Sequence, residues 1–250
     1  MADLRPDLLE AQASVDWVES HFPDLFTRLH AWQHDKVSIE FEKMAPPSLE
    51  DGIMMVLREP FPLSLSVEVG AYINALRSSL DILAMALVRR HGLQLPVECV
   101  QFPIAKDESK FAKGKYRGIE FVKALPVADQ KIIEDLKPYD GANDILATLH
   151  NLDITRKHHQ LLNVGIRPAQ LRLKNADLSN FTPINSASGF LVVGDRTLLG
   201  FYKSGMARPS VMISPYVGFD ETGPVHGAPV LSALRQFVEL TTTIIKSFDR

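Results

Sequence analysis

Residues 66–92, SVEVGAYINALRSSLDILAMALVRRHG, constrain the fold more than any other stretch of this chain. A helix through them is apolar on nearly every side, so it must be covered all round at the centre of a core. Gly92 ends it, and Arg89, Arg90 and His91 sit where the C-terminal dipole favours positive charge. Asn74, Arg77 and Asp81, spaced by three and four, form one polar stripe along it. Ile73, Leu76, Leu80, Leu83 and Leu87 flank that stripe. An unpaired charge in such surroundings costs several kcal/mol, so the stripe demands partners from elsewhere in the chain.

The covering elements are readable. Residues 7–34 are helical in pattern, with Pro23 either kinking the segment or starting a new helix. KVSIEFE (36–42) alternates strictly, with Val37, Ile39 and Phe41 on one face, which predicts a half-buried strand. GIMMVLRE (52–59) is its hairpin partner across Pro46–Pro47. Four prolines break 93–142 into an irregular crossover with short helices at 107–113 and 127–136. A further helix runs from 143 to about 163. GFLVVGDRTLLGFY (189–202) is a hairpin turning at Gly194–Asp195, and SVMISPYVGF (210–219) is a third strand. Pro215 directs that strand to a sheet edge or a bulge. Residues 228–248 close the chain as an amphipathic helix.

The expected fold is therefore α+β: a helical bundle with an antiparallel β-sheet built from the N-terminal hairpin and the C-terminal strands. No linker or repeat interrupts the 250 residues, so they read as a single domain. Its parts are a helix plus hairpin (1–60), a central helical core (61–165), and a β meander with the closing helix (166–250).

Partners for the stripe come from NLDITRKHHQLLN (151–163). Asp153 and Lys157 are spaced by four, and Asn151 and His158 share a neighbouring line. Two readings stay open. In one, Arg77, Asp81, Asp153 and Lys157 are a buried ion-pair belt that fixes two helices. In the other, Asp81, Asp153 and His158 supply acid–base chemistry while Arg77, Asn151 and Lys157 hold an anion. Arg156 and His159 are expected to point elsewhere.

KDESKFAKGKYRGIEFVK (106–123) carries six basic residues against three acidic ones. With Gly114 and Gly118 for freedom and Phe111 and Tyr116 for stacking, it reads as a solvated loop or as a phosphate- or RNA-binding lid. Lys113, Lys115 and Arg117 are its candidate ligand-binding residues.

ALRSSLDILAMALV, FPI (102–104), LKPYDG (136–141) and LHNLDITRKHHQLL (149–162), in this order, resemble a recurrent family of bacterial hypothetical proteins. The family pattern runs LRSALDHL, FPI, LQPY and LxNxDKHR, and covers about 66–165. The resemblance implies Arg77, Asp81, Pro103, Pro138, Tyr139, Asn151, Asp153, Lys157 and His158 as the matching positions, and no particular activity. Ile82 stands where the pattern has histidine, and Ile154–Thr155–Arg156 lengthens the gap before Lys157. RLHAWQH (28–34) is similar to the Arg/His spacing of HEPN-type helical domains. That likeness implies a ribonuclease pair in Arg28 and His34, and a homodimer.

Other chemistries find less. His30 and His34 are four apart, as metal ligands on a helix can be, but no H-E-x-x-H or cysteine pair accompanies them. There is no P-loop, G-x-S-x-G or G-x-G-x-x-G, and no metal or cofactor is expected. Net charge is -3, so any RNA or nucleotide contact has to be local. The lone Cys99 suggests a reducing cytoplasm. The longest unbroken apolar run, ILAMALV (82–88), falls far short of the about 20 residues that span a bilayer, so no membrane partner is expected.

Overall fold

The computed structural model describes residues 4–45, 47–174, 178–184 and 191–250. The start of the 189–202 segment and one residue of the Pro46–Pro47 loop therefore lie outside the described residues. Contacts between residues separate two compact units, neither continuous in sequence. The first comprises Met1–Pro23, Leu63–Val164 and Phe219–Arg250; the second comprises Asp24–Pro62 and Gly165–Gly218.

The first unit is helical. Helix α2 (Leu63–Arg90) packs on α6 (Asp144–His158) and α7 (Val230–Ser247), and α6 packs on α7. Burial of Val69, Ile73, Leu76, Leu80, Leu83 and Leu87 bears out α2 as the core helix. By length and composition α2 could cross a membrane, yet 61% of its apolar window is buried within the protein. Between α2 and α6 the crossover holds α3 (Glu108–Ala112), α4 (Ile119–Ala124) and α5 (Val127–Leu136). Helix α4 was not anticipated from the sequence. Helix α6 ends at His158, short of the expected 163, and Asn143 caps its start by accepting the Leu146 N–H at 3.2 Å.

Helix α1 (Leu9–Lys36) is continuous, with Pro23 inside it. Its first part belongs to the first unit and the remainder to the second.

The second unit carries the sheets. Strands β1 (Val37–Lys43) and β2 (Glu50–Leu57) form the expected antiparallel hairpin, and β2 pairs antiparallel with β6 (Arg196–Lys203). Strands β4 (Phe181–Pro183) and β5 (Leu191–Val193) pair with the other side of β6. Ile53, Met55, Leu199 and Tyr202 form the buried centre, and Val37, Ile39 and Phe41 pack against it as their alternation requires. One placement is corrected: β7 (Ser210–Phe219) does not extend this sheet. It pairs with β3 (Val164–Lys174), unseen in the sequence, in a separate two-stranded sheet. Both strands of such a pair are edges, which accommodates Pro215.

Candidate functional site

The polar stripe of α2 meets α6 as the two helices run in opposite directions. The aliphatic part of Arg156 lies over Gly70, where an added Cβ would stand 2.9 Å from Arg156 Cδ. One turn on, Asn74 Nδ2 donates to Asp153 Oδ1 at 3.0 Å. The next turn brings Arg77 Nε to His150 Nδ1 at 3.3 Å. Arg156 therefore belongs to this interface, against the expectation that it points away.

Arg77 and Asp81 do more than pair. Arg77 Nη1 lies 2.7 Å from Asp81 Oδ1, and Nη2 donates to the Phe102 carbonyl at 3.3 Å. The Phe102 N–H donates to Asp81 Oδ1 at 2.9 Å. The ion pair thus grips both polar groups of one residue in the FPI segment. Asp153 is held equally firmly, by Asn74 and by Lys157 Nζ at 2.6 Å. Asp153 and Arg77 are buried and each is paired, as charges taken out of water must be, while Asp81 and Lys157 stay partly exposed.

The crossover is tied down beside this interface. The Ala105 N–H donates to the Pro138 carbonyl at 2.8 Å, and Ala105 bridges Tyr139 in parallel. Gly118, at φ 84°, packs so tightly that a Cβ would come 2.3 Å from the Gln101 carbonyl oxygen. Phe111 stacks on Tyr116 with ring centres 5.1 Å apart, and also meets Tyr139. The segments around LRSSLD, FPI, LKPYDG and LHNLDITRKHH are thereby gathered in one place.

At that place lies a cleft of about 420 Å³. Its polar lining is Lys106, Lys115, Tyr116, Asp140, His150 and Asn151, and Ile104, Ala147 and Ile154 supply apolar wall. No ion pair engages Lys106 or Lys115 among the described residues. Burial holds His150 well below the ordinary imidazole value, to about 4, and the Arg77 guanidinium adds to the effect. Asp153 and Asp81 oppose that shift without cancelling it. His150 is therefore neutral near pH 7. Burial, and then the Glu134 carboxylate, push the Tyr116 phenol up, so it stays protonated.

The candidates named from sequence distribute unevenly. Arg77, Asp81, Asp153 and Lys157 gather at the α2–α6 interface, but none of them lines the cleft. Asn151 and Lys115 do line it. Lys113 and Arg117 are exposed outside it, and His158 is exposed rather than joined to the cluster. At the end of α6 its side chain faces solvent, because the buried line of that helix passes through Leu149, Leu152 and Asp153. His150, Lys106 and Asp140 were missed as site residues. For His150 a signal existed: it precedes Asp153 by three and Ile154 by four, which puts it on their side of the helix.

The HEPN-like pair lies in the second unit, where Arg28 bonds Asp24 at 2.7 Å and His34 lies 3.1 Å from Asp35. No group of three or more His, Cys, Asp or Glu is arranged to hold a metal among the described residues. A neighbouring Glu120 carboxylate raises Cys99, the reverse of what activates a thiolate nucleophile. Comparison with protein-family models, curated proteins and solved structures finds no match to this chain.

Proposed function

We propose that this chain is a cytoplasmic protein that binds a phosphate-bearing ligand, of nucleotide size, in the cleft beside α6. The observation that carries this reading is the meeting of Lys106 and Lys115, which have no ion pair among the described residues, with Asn151 and His150 around about 420 Å³ of space. Small-molecule sites fall at roughly 300–1,000 Å³ and combine apolar wall with a few convergent polar groups. Two ammonium groups supply charge for a phosphate, and Asn151 supplies both donor and acceptor. Asp140 offers a carboxylate to a sugar hydroxyl or an exocyclic amine.

Binding is better supported than cleavage. Asp81 and Asp153 are committed to cations and N–H groups, and a histidine held near 4 is a weak base at neutral pH. The rival reading, an interaction module whose ion pairs are purely structural, draws on the same satisfaction of Arg77, Asp81, Asp153 and Lys157. The two readings divide the site: the ion pairs hold the helices, and the cleft next to them receives the ligand.

Equilibrium titration with AMP, ATP and a short single-stranded RNA, at low and high salt, tests this. The expected result is salt-sensitive nucleotide binding that weakens at least about tenfold in Lys106→Ala/Lys115→Ala, the loss of two charged contacts. Lys113→Ala/Arg117→Ala should bind like the wild type. Failure of the wild type to bind, or equal binding by both double variants, would sink the proposal. Tighter binding of the RNA than of either nucleotide would reassign the ligand class.

A further inference from the structure

We infer that His150 is a neutral, orientation-locked hydrogen-bond donor of the cleft, presenting its Nε2–H to an acceptor oxygen of the ligand. This rests on the nucleotide-binding reading for its ligand, though not for its own state. A guanidinium has no acceptor, so the contact from Arg77 Nε at 3.3 Å requires a lone pair on His150 Nδ1. In a neutral imidazole the proton is then on Nε2. Arg77 cannot readily turn away, because Asp81 and the Phe102 carbonyl hold the rest of its guanidinium and it is 5% exposed. His150 lines the cleft, and Nε2 has no partner among the described residues.

The surrounding charges agree with this. Arg77 and Asp81 on α2, and Asp153 and Lys157 on α6, all act on the ring, and burial with Arg77 prevails. Lys106, Lys115, Tyr116 and Asp140 line the same cleft. The ring therefore offers direction without charge, and the two lysines supply the charge. An imidazolium would instead turn a second N–H against the guanidinium.

The test uses the full chain labelled with ¹⁵N at histidine. Long-range ¹H–¹⁵N spectra at about pH 7 and about pH 5.5 should show one imidazole in the neutral Nε2–H form at both, while ordinary histidines titrate near 6.5. That signal should vanish in His150→Gln, and its Nε2 resonance should move when AMP is added. An Nδ1–H tautomer, or an imidazolium at about pH 5.5, overturns the inference. So does AMP binding that leaves Nε2 unmoved. In affinity measurements His150→Gln, which keeps a donor, should stay within about threefold of wild type, while His150→Leu loses about tenfold. Equal affinity of a folded Leu variant counts against the donor role. Absence of AMP binding by a protein that shows the Nε2–H tautomer supports the locked ring and overturns the ligand reading alone.

Discussion

Arg77 and Lys157 are both basic members of helix-borne ion pairs, but their side chains are 6% and 39% exposed. What each substitution costs depends also on the carboxylate it leaves behind, for Asp81 is 39% exposed and Asp153 only 4%. Arg77→Ala removes the shared donor of Asp81, the Phe102 carbonyl and His150 Nδ1, but Asp81 keeps the Phe102 N–H and contact with solvent, so the change should cost about 2–3 kcal/mol. Lys157→Ala leaves the buried Asp153 carboxylate with Asn74 and no cation, and should cost about 3 kcal/mol. Urea titration of both variants checks the ratio. His150 makes stability depend on pH with a definite sign. Its folded-state value of about 4 lies below the ordinary 6.5, so its contribution is complete above about pH 6.5. As pH falls from there towards 4, the unfolded chain takes up a proton that the folded chain refuses, and stability drops by up to roughly 3 kcal/mol. In His150→Gln the denaturation midpoint should fall less steeply across that window. A slope identical to wild type would remove His150 as the source.

Two glycines show how elements are fitted together, and they should respond differently. At Gly70 on α2 the three atoms nearest an added methyl group all belong to the flexible Arg156 side chain, and alanine is the better helix former. Gly70→Ala should therefore change stability by less than about 1 kcal/mol. At Gly118, which leads into α4, the backbone is left-handed and the obstacle is a carbonyl oxygen of the chain itself. Gly118→Ala should cost roughly 2–3 kcal/mol and loosen the crossover that carries Lys106 and Lys115. Melting curves compare the two, and AMP affinity reports the crossover. The α2–α6 contact illustrates how far pattern reading extends at this scale. Helical periodicity put Asn74, Arg77 and Asp81 on one line, and the apolar neighbours required that line to be satisfied. It did not show that His150 and Arg156 face it from α6. The relative axial position of two helices is fixed by packing, which spacing within either helix does not encode.

Each of the two compact units is assembled from separated pieces of chain, so each has its own buried centre. In the second unit Met55 is fully buried beside Ile53, Leu199 and Tyr202. Met55→Ala should cost about 2–5 kcal/mol. Hydrogen exchange should rise chiefly in 37–57 and 196–203, with 144–158 less affected; uniform loss across both units would show them to open together. The sequence by itself determined the α+β class, the main helices, the first hairpin and the enclosure of α2, because periodicity and burial of apolar surface are local consequences of residue order. It also determined that Arg77 and Asp81 had to be partnered. The tertiary structure alone decided who the neighbours are. Ile166 and the Leu171–Leu173 pair fall out of phase around Pro168, so β3 hides its alternation and with it the true partner of β7. Lys106 and Lys115 reach the same cleft as His150 and Asn151 only because Ala105 bridges Tyr139 and Gly118 lets the loop close on Gln101. Those contacts join residues far apart in the chain, and their geometry follows from how covered surfaces fit rather than from any single segment.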